Sequence, residues 1–442
     1  MRSINSKIFL LVACFLLSLP VVRAADGDID TTYGTNGMVV RAGFSSAVDI
    51  AIQANDRSLV LAAYGDDFAV LRHNADGSLD TNFGSNGLAI VAFESLSSGE
   101  TQDTPYTILL QPNGKILVAG STEEITPGRH YSNFALARLN MDGTLDTTFG
   151  TNGVVVTDFS HADDIAYDLA VLPNGKILAV GQATVGNNVK FGVARFLNDG
   201  TLDANFAAGG TKSFGFGGGY NIAYGVAIQD DGNIVITGVA ELDDENGDPH
   251  KYSALARLHP RGKFDLTFGT NGKATSAYVY NNAVLDSWAG RVAIQSDGKI
   301  VVTGFYVIRD FGLARYNADG SPDTTFGSGG HARLIGPSSG QGVNRRIALD
   351  GNNIISGGWA YQLYGIENPE IVLFRDDPAG IADQSFGGGD GYVTYNPFFS
   401  FTCPACGISA ESFALQSDGK IVTAGYSDDG TTSGLTLARF YN

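Results

Sequence analysis

The stretch LDTTFGTNG, Leu145 to Gly153, packs an aspartate, a phenylalanine and two glycines into nine residues. Asp, Thr, Asn and Gly suit a ligand-cradling loop and an ordinary tight turn equally well, so its chemistry alone does not separate site from scaffold. Its recurrence does. The pattern returns as IDTTYGTNG from Ile29, LDTNFGSNG from Leu79, LDANFAAGG from Leu202, FDLTFGTNG from Phe264, PDTTFGSGG from Pro322 and, one residue longer, ADQSFGGGDG from Ala382. A second motif, two apolar runs around a turn, also occurs seven times, in forms such as LLQPNGKILVAG, AVLPNGKILAVG and AIQSDGKIVVTG. A third, typified by FALARLNMDGT from Phe134, carries an arginine in each copy: Arg72, Arg138, Arg195, Arg257, Arg315, Arg375 and Arg439. Their spacing of 57 to 66 residues sets the period, and self-similarity at a fixed period marks a repeat architecture.

Each repeat holds four strand-like segments, which for Val154 to Asn198 are VVVTDF, AYDLAVLP, KILAVGQA and FGVARFLN. Asn174-Gly175 between the middle two has the hairpin signature, and no helical period interrupts the series. Four short strands, seven times over, predict an all-β fold: a seven-bladed β-propeller with four-stranded antiparallel blades. Compared with the order of turn and strand in WD40 repeats, AYDLAVLP becomes the innermost strand and VVVTDF the outer strand of the preceding blade. The segment DGDID, Asp26 to Asp30, matches DGTLD inside a repeat, and ARFYN stops just before the next such turn would start. The strand after Gly37 is therefore expected to complete the last blade and close the ring without a free edge.

Composition agrees with many short strands: 58 glycines, 13 prolines, 43% hydrophobic and only 17% charged residues in 442. A net charge of -18 argues against phosphate-backbone binding, so nucleic acid is not an expected partner, and it disfavours anionic membranes. Arg2 and Lys7 followed by the apolar run Ile8 to Leu19 and by Val22-Arg23-Ala24 read as a signal peptide over residues 1–24, leaving 25–442 as a single propeller domain. The expected destination is secreted, periplasmic or cell-surface, with no membrane span in the mature chain. LVAC, Leu11 to Cys14, keeps lipidation of Cys14 as an alternative. Beyond it stand only Cys403 and Cys406, spaced as CPAC. An exported chain favours a local loop disulfide, since neither a thioredoxin-like βαβ setting nor two further zinc ligands are in view.

The spacing, the LDxxFGxxG box, the PDGKI-like turn and the FALARxNxDG strand together resemble the bacterial delta-60 repeat family, exported proteins built from such units. The resemblance covers Asp26 to Asn442 and implies a propeller and export; the family has no agreed catalytic residues to carry over. The departures are local: Ala207 replaces the first glycine of the fourth box, Pro260-Arg261 replaces x-Asp before Gly262, and Asn352-Asn353 shortens the sixth turn.

An active site is needed once, whereas a structural contact is needed in every blade. Residues present seven times are therefore read as scaffold. The recurring arginines and the box aspartates Asp30, Asp80, Asp146, Asp203, Asp265, Asp323 and Asp383 are expected to form one ion pair per blade, because a charge in a packed blade needs a partner. The turns with alternating oxygens, such as Asn74, Asp76, Ser78 and Asp80, also admit calcium. However, the glycine stands at position four and no Glu stands at position twelve, so this is not an EF-hand, and Asx turns explain the same letters.

Strand parity puts the constant turns on one face of the ring and the non-repeated insertions on the other. These are Glu94 to Tyr106, Ser121 to Asn133, Glu241 to Tyr252, Ser276 to Arg291, Trp359 to Glu370 and Asn396 to Ser412. Long loops on a rigid frame are where binding residues sit. The candidates are Tyr106, His130, Tyr131, Asp243, Asp244, Glu245, His250, Trp288, Trp359, Tyr361 and Tyr364, an aromatic and acidic set that suits a carbohydrate or protein partner. No G-x-S-x-G, H-E-x-x-H or P-loop occurs. The reading is a monomeric, non-catalytic binding or interaction scaffold without a required cofactor. The alternatives are a glycan hydrolase using loop carboxylates such as Asp163 and Asp164, and a calcium-stabilised surface structural protein.

Overall fold

The hairpin at Asn174-Gly175 joins the first two strands of its blade, and its hydrogen bonds show how. Leu172 N–H donates to the Lys176 carbonyl and Gly175 N–H to the Leu172 carbonyl, both at 2.8 Å, enclosing Pro173, Asn174 and Gly175. Gly175 takes φ 79°, so the turn is a three-residue loop ending in a left-handed glycine rather than a two-residue one. The strands it joins, Asp164–Val171 and Ile177–Val185, continue into Asn188–Phe196 and Thr211–Phe214 to make a four-stranded antiparallel sheet.

In the computed structural model, which describes residues 24–93, 101–124, 131–244, 246–280, 283–306, 310–334, 342–361, 369–398 and 406–442, six further sheets repeat this order. The protein is a seven-bladed β-propeller. The first strands of the blades are Ala47–Ile52, Thr101–Leu110, Asp164–Val171, Asn221–Ile228, Ser287–Ile294, Gly342–Asp350 and Gly407–Leu415. Each of these touches the first strand of the blades on either side, so together they line the axis. Met38–Arg41 pairs antiparallel with Ser433–Phe440, and this N-terminal strand completes blade 7. Among the described residues, no helix is long and apolar enough to cross a membrane.

The core lies between the blades. Ile177, Leu178, Ala179 and Val180 are all buried because both faces of their strand are covered by neighbours. The box supplies the seam. Phe149 is fully buried, burial that contributes roughly 2–3 kcal/mol, and Arg138 lies over its ring at 4.6 Å. Gly150 N–H donates to the Asp199 carbonyl of the next blade at 2.7 Å. A Cβ on Gly150 would sit 2.2 Å from the Val154 carbonyl, and its φ is 53°, so glycine fits this corner. In the fourth box Ala207 holds the same left-handed conformation, φ 45°.

Several segments expected to be variable loops are regular strand. The insertion before Tyr106 is paired from Thr101 onward, and Ile234–Asp243 and Pro249–Leu258 form a long hairpin closed by a short turn. Tyr278–Tyr280 and Ala283–Leu285 add a two-stranded ribbon. Alternating sequences such as TQDTPYTILL simply extend the ladder past the repeated core.

Candidate functional site

Every blade's first strand carries an irregularity at the same place, two residues long in blade 5, and a glycine stands opposite it in every blade but the first, where Ala62 does. Gly181 stands opposite Ala166, and a Cβ there would come 1.8 Å from the Ile165 carbonyl; Gly120, Gly238, Gly358 and Gly425 are placed alike. The bulged residue is then turned out of the ladder toward the axis. Around the ring it is Val48, Tyr106, Tyr167, Tyr224, Gly290, Arg345 and Glu411. These residues share one cavity of about 560 Å³, together with Trp288, Arg291, Thr303 and Asn344. It opens at the start of the first strands, the end of the ring where the non-repeated connections lie.

One side of the mouth is aromatic. Tyr106 and Tyr167 meet edge to face at 4.8 Å, and Tyr167 and Tyr224 are 5.3 Å apart. Burial holds all three hydroxyls above the ordinary tyrosine range, so they stay neutral donors and acceptors. The other side is charged: Arg345 Nε lies 3.1 Å from Glu411 Oε2, with the two side chains 46% and 27% exposed.

The next residue along each first strand is Asp49, Thr107, Asp168, Gly225, Arg291, Arg346 and Ser412. These form the floor. Asp49, 1% exposed, accepts from Ser412 Oγ at 2.6 Å, Thr107 Oγ1 at 3.1 Å and Ile108 N–H at 3.0 Å, and Arg346 Nη1 stands 3.4 Å away. Burial alone would raise its pKa, but Arg346, Arg291 and these donors outweigh it and hold the carboxyl below its usual range. Asp168 pairs with Arg291 and accepts from Val226 N–H at 3.0 Å. Gly225 leaves the space: a Cβ there would lie 2.6 Å from the Gly290 carbonyl. The floor thus joins residues from all seven blades.

Of the sequence candidates, Tyr106 and Trp288 line the cavity. Tyr131 stands beside His161 at 6.3 Å, and Trp359 packs on Tyr361 at 5.0 Å. Asp244 closes a turn by accepting from Asn246 and Asp248 N–H at 2.8 and 2.9 Å, with His250 3.8 Å away, while Asp243 is exposed opposite Pro249. His130, Glu245, Tyr364 and Cys403 lie outside the described residues. Cys406 is buried and disulfide-bonded. The adjacent acids part company: Asp163 accepts from Ser132 N–H, whereas buried Asp164 accepts from Phe159 and Thr184 N–H at 2.8 and 3.0 Å. Burial, despite these two donors, pushes the Asp164 carboxyl up to about 7, and none of these acids lines the cavity.

The recurring arginines meet the box aspartates in every blade, from Arg72 with Asp80 at 2.8 Å to Arg439 with Asp30 at 2.7 Å across the closure. The turn lysine joins them, as Lys115 does with Asp146 at 2.6 Å. Turn oxygens face their own chain: Asp142 Oδ1 accepts from Thr144 N–H at 3.0 Å and from its hydroxyl at 2.7 Å. Among the described residues, no three His, Cys, Asp or Glu side chains gather as for a metal.

Comparison with known proteins places the repeats. Residues 54–83, 111–149, 172–206, 295–326 and 416–440 match the family described as a domain of unknown function (DUF5122) beta-propeller. No curated protein matches the chain. Similar solved structures include a protein of unknown function from Dyadobacter fermentans, with 10% identity, 92% of this chain and 98% of that one covered, and TM-score 0.46. Virginiamycin B lyase from Staphylococcus aureus has 9% identity, 92% and 99% coverage, and TM-score 0.46. The polysaccharide lyase Uly1 has 12% identity, 93% and 92% coverage, and TM-score 0.47. No activity is carried over from these likenesses. By its seven closed blades and its matched repeats, the chain is a β-propeller repeat protein similar to the DUF5122 family.

Proposed function

We propose that this protein is an exported binding scaffold of the delta-60 repeat kind that takes an oligosaccharide at the mouth of its channel without transforming it. The observation that carries the reading is the bulge position. It stands in a strand that otherwise repeats, yet it holds Val, Tyr, Tyr, Tyr, Gly, Arg and Glu around one cavity. Scaffold positions repeat, whereas a site for a single asymmetric ligand does not. Aromatic faces beside neutral hydroxyls suit a sugar ring, whose C–H surface stacks while its hydroxyls exchange hydrogen bonds. A cavity of this size fits a small ligand better than a flat protein surface does. Export rests on the apolar run Ile8 to Leu19 and on residues 22–24.

Trp288 lines the cavity and the chain has only two tryptophans, so a Trp359→Phe variant reports from the site alone. Titration with an oligosaccharide panel should change its fluorescence, and Tyr167→Ala should abolish the change, with a cooperative urea transition confirming that the variant is folded. Release of shortened products, or unchanged binding by Tyr167→Ala, would overturn the reading.

A further inference from the structure

We propose that the ligand of this site carries a carboxylate, as a uronic-acid oligosaccharide does, and that Arg345 reads it. The inference rests on the binding reading above and adds the ligand's chemical class. In a chain of net charge -18, three arginines come to the axis on consecutive first strands: Arg291 in blade 5, then Arg345 and Arg346 in blade 6. Two of them are committed below. Arg291 pairs with Asp168 and Arg346 stands against Asp49, both of these acids being buried. Arg345 is different. Its side chain is 46% exposed beside the cavity, and its ion pair to Glu411 closes at 3.1 Å from Nε.

An exposed ion pair is weakly held. A guanidinium presents further N–H groups in a planar fork that matches a carboxylate with two parallel hydrogen bonds, which a ligand carboxylate entering from the cavity can take. The placement also gives the site a polarity. The tyrosines of blades 2, 3 and 4 face Arg345 across the mouth, and Arg345's charge reaches the Tyr224 hydroxyl, lowering its pKa against the rise caused by burial. A ring stacked on the tyrosine side would point an acidic substituent toward blade 6. Glu411 then acts as a stand-in carboxylate that holds Arg345 in position and is displaced on binding.

The test is calorimetric titration of the full chain with galacturonate, mannuronate and glucuronate oligosaccharides, each paired with its neutral methyl ester, and with neutral glucans. The acids are expected to bind at least about tenfold more tightly than their esters. Arg345→Ala should remove that preference without shifting the urea midpoint. Glu411→Gln, which removes the competing charge, should widen the acid-over-ester preference several-fold. If esters or glucans bind as tightly as acids and Arg345→Ala binds both alike, the carboxylate inference fails while the binding reading survives. If nothing in the panel binds, both fail.

Discussion

Arg138 belongs to one blade and holds the next. Its Nε lies 2.6 Å from Asp146 in its own repeat, and its Nη1 donates to the Asn198 carbonyl in the following one. Arg72, Arg195, Arg257, Arg315 and Arg439 reach forward in the same way, to the carbonyls of Met141, Pro260, Ala318, Pro378 and Ala75. Arg138→Ala should therefore lower stability by about 3 kcal/mol, since Asp146 stays buried with only Lys115 for charge. Arg138→Lys should recover little, because an ammonium cannot serve both directions. Urea midpoints check both, and a cost near that of Lys115→Ala, expected below about 1 kcal/mol, would refute the bridging role.

Asp376 occupies the position after the recurring arginine, where other blades have Leu139, Phe196 and Leu258. It is 2% exposed and its Oδ2 has no hydrogen-bond partner among the described residues. Burial, with Asp377 and Asp383 nearby, pushes its carboxyl up to about 7. The folded state therefore binds a proton that the unfolded state releases between about pH 4 and 7, and this group costs stability as pH rises through that window. Asp376→Leu should gain about 2 kcal/mol at pH 8 and far less at pH 4, read from denaturation at the two values.

His73 fills that same position in blade 1 and carries the opposite sign. Burial, aided by Arg41, drives its pKa down to about 3, and Arg41 Nε donates to its Nε2 at 3.3 Å. Between about pH 6.5 and 3 the unfolded chain takes up a proton that the folded one lacks, so stability falls as pH drops. Relative to the parent, His73→Leu should be better by about 2 kcal/mol at pH 4 than at pH 8. Equal effects at both values would contradict a neutral buried imidazole.

Ala207 keeps φ 45° where Gly34, Gly84, Gly150, Gly269, Gly327 and Gly387 hold φ between 51° and 66°. Ala207→Gly should relieve a left-handed alanine and raise stability by about 1 kcal/mol, visible as a higher melting temperature.

The turn aspartates spend their oxygens on neighbouring N–H and hydroxyl groups, as Asp319 does with Ser321 at 2.9 and 2.6 Å. Melting curves with calcium and with EGTA should therefore coincide; a fall of several degrees in EGTA would establish a bound ion.

Blade number, strand order and ring closure were legible because repeats advertise their own boundaries. The site was only partly legible. Tyr106 and Trp288 stand out as aromatic residues in non-repeated segments, but Tyr167, Tyr224 and Arg345 lie inside the repeated strand, and Glu411 near the end of the insertion Asn396 to Ser412 is not aromatic. The missing signal was variation within a repeated column, in AYD, AYG, NRR and AES at one alignment position. Reading it required knowing that the strand bulges there, and the glycine responsible sits on the neighbouring strand. Trp359 and Tyr361 lie where strands lengthen beyond the repeat core, and their rings pack on each other.

The floor of unlike residues also bears on how such a chain folds to one answer. Seven near-copies invite confusion, because greasy seams of similar shape would tolerate a ring assembled one blade out of step. The axial residues differ from blade to blade, so Asp49 finds Arg346 and Ser412, and Asp168 finds Arg291, only when each blade has its proper neighbours. An assembly that parts these blades leaves a buried axial carboxylate without its partner. The hub therefore carries what the seams lack, a distinct set of partners that ties particular blades to particular neighbours.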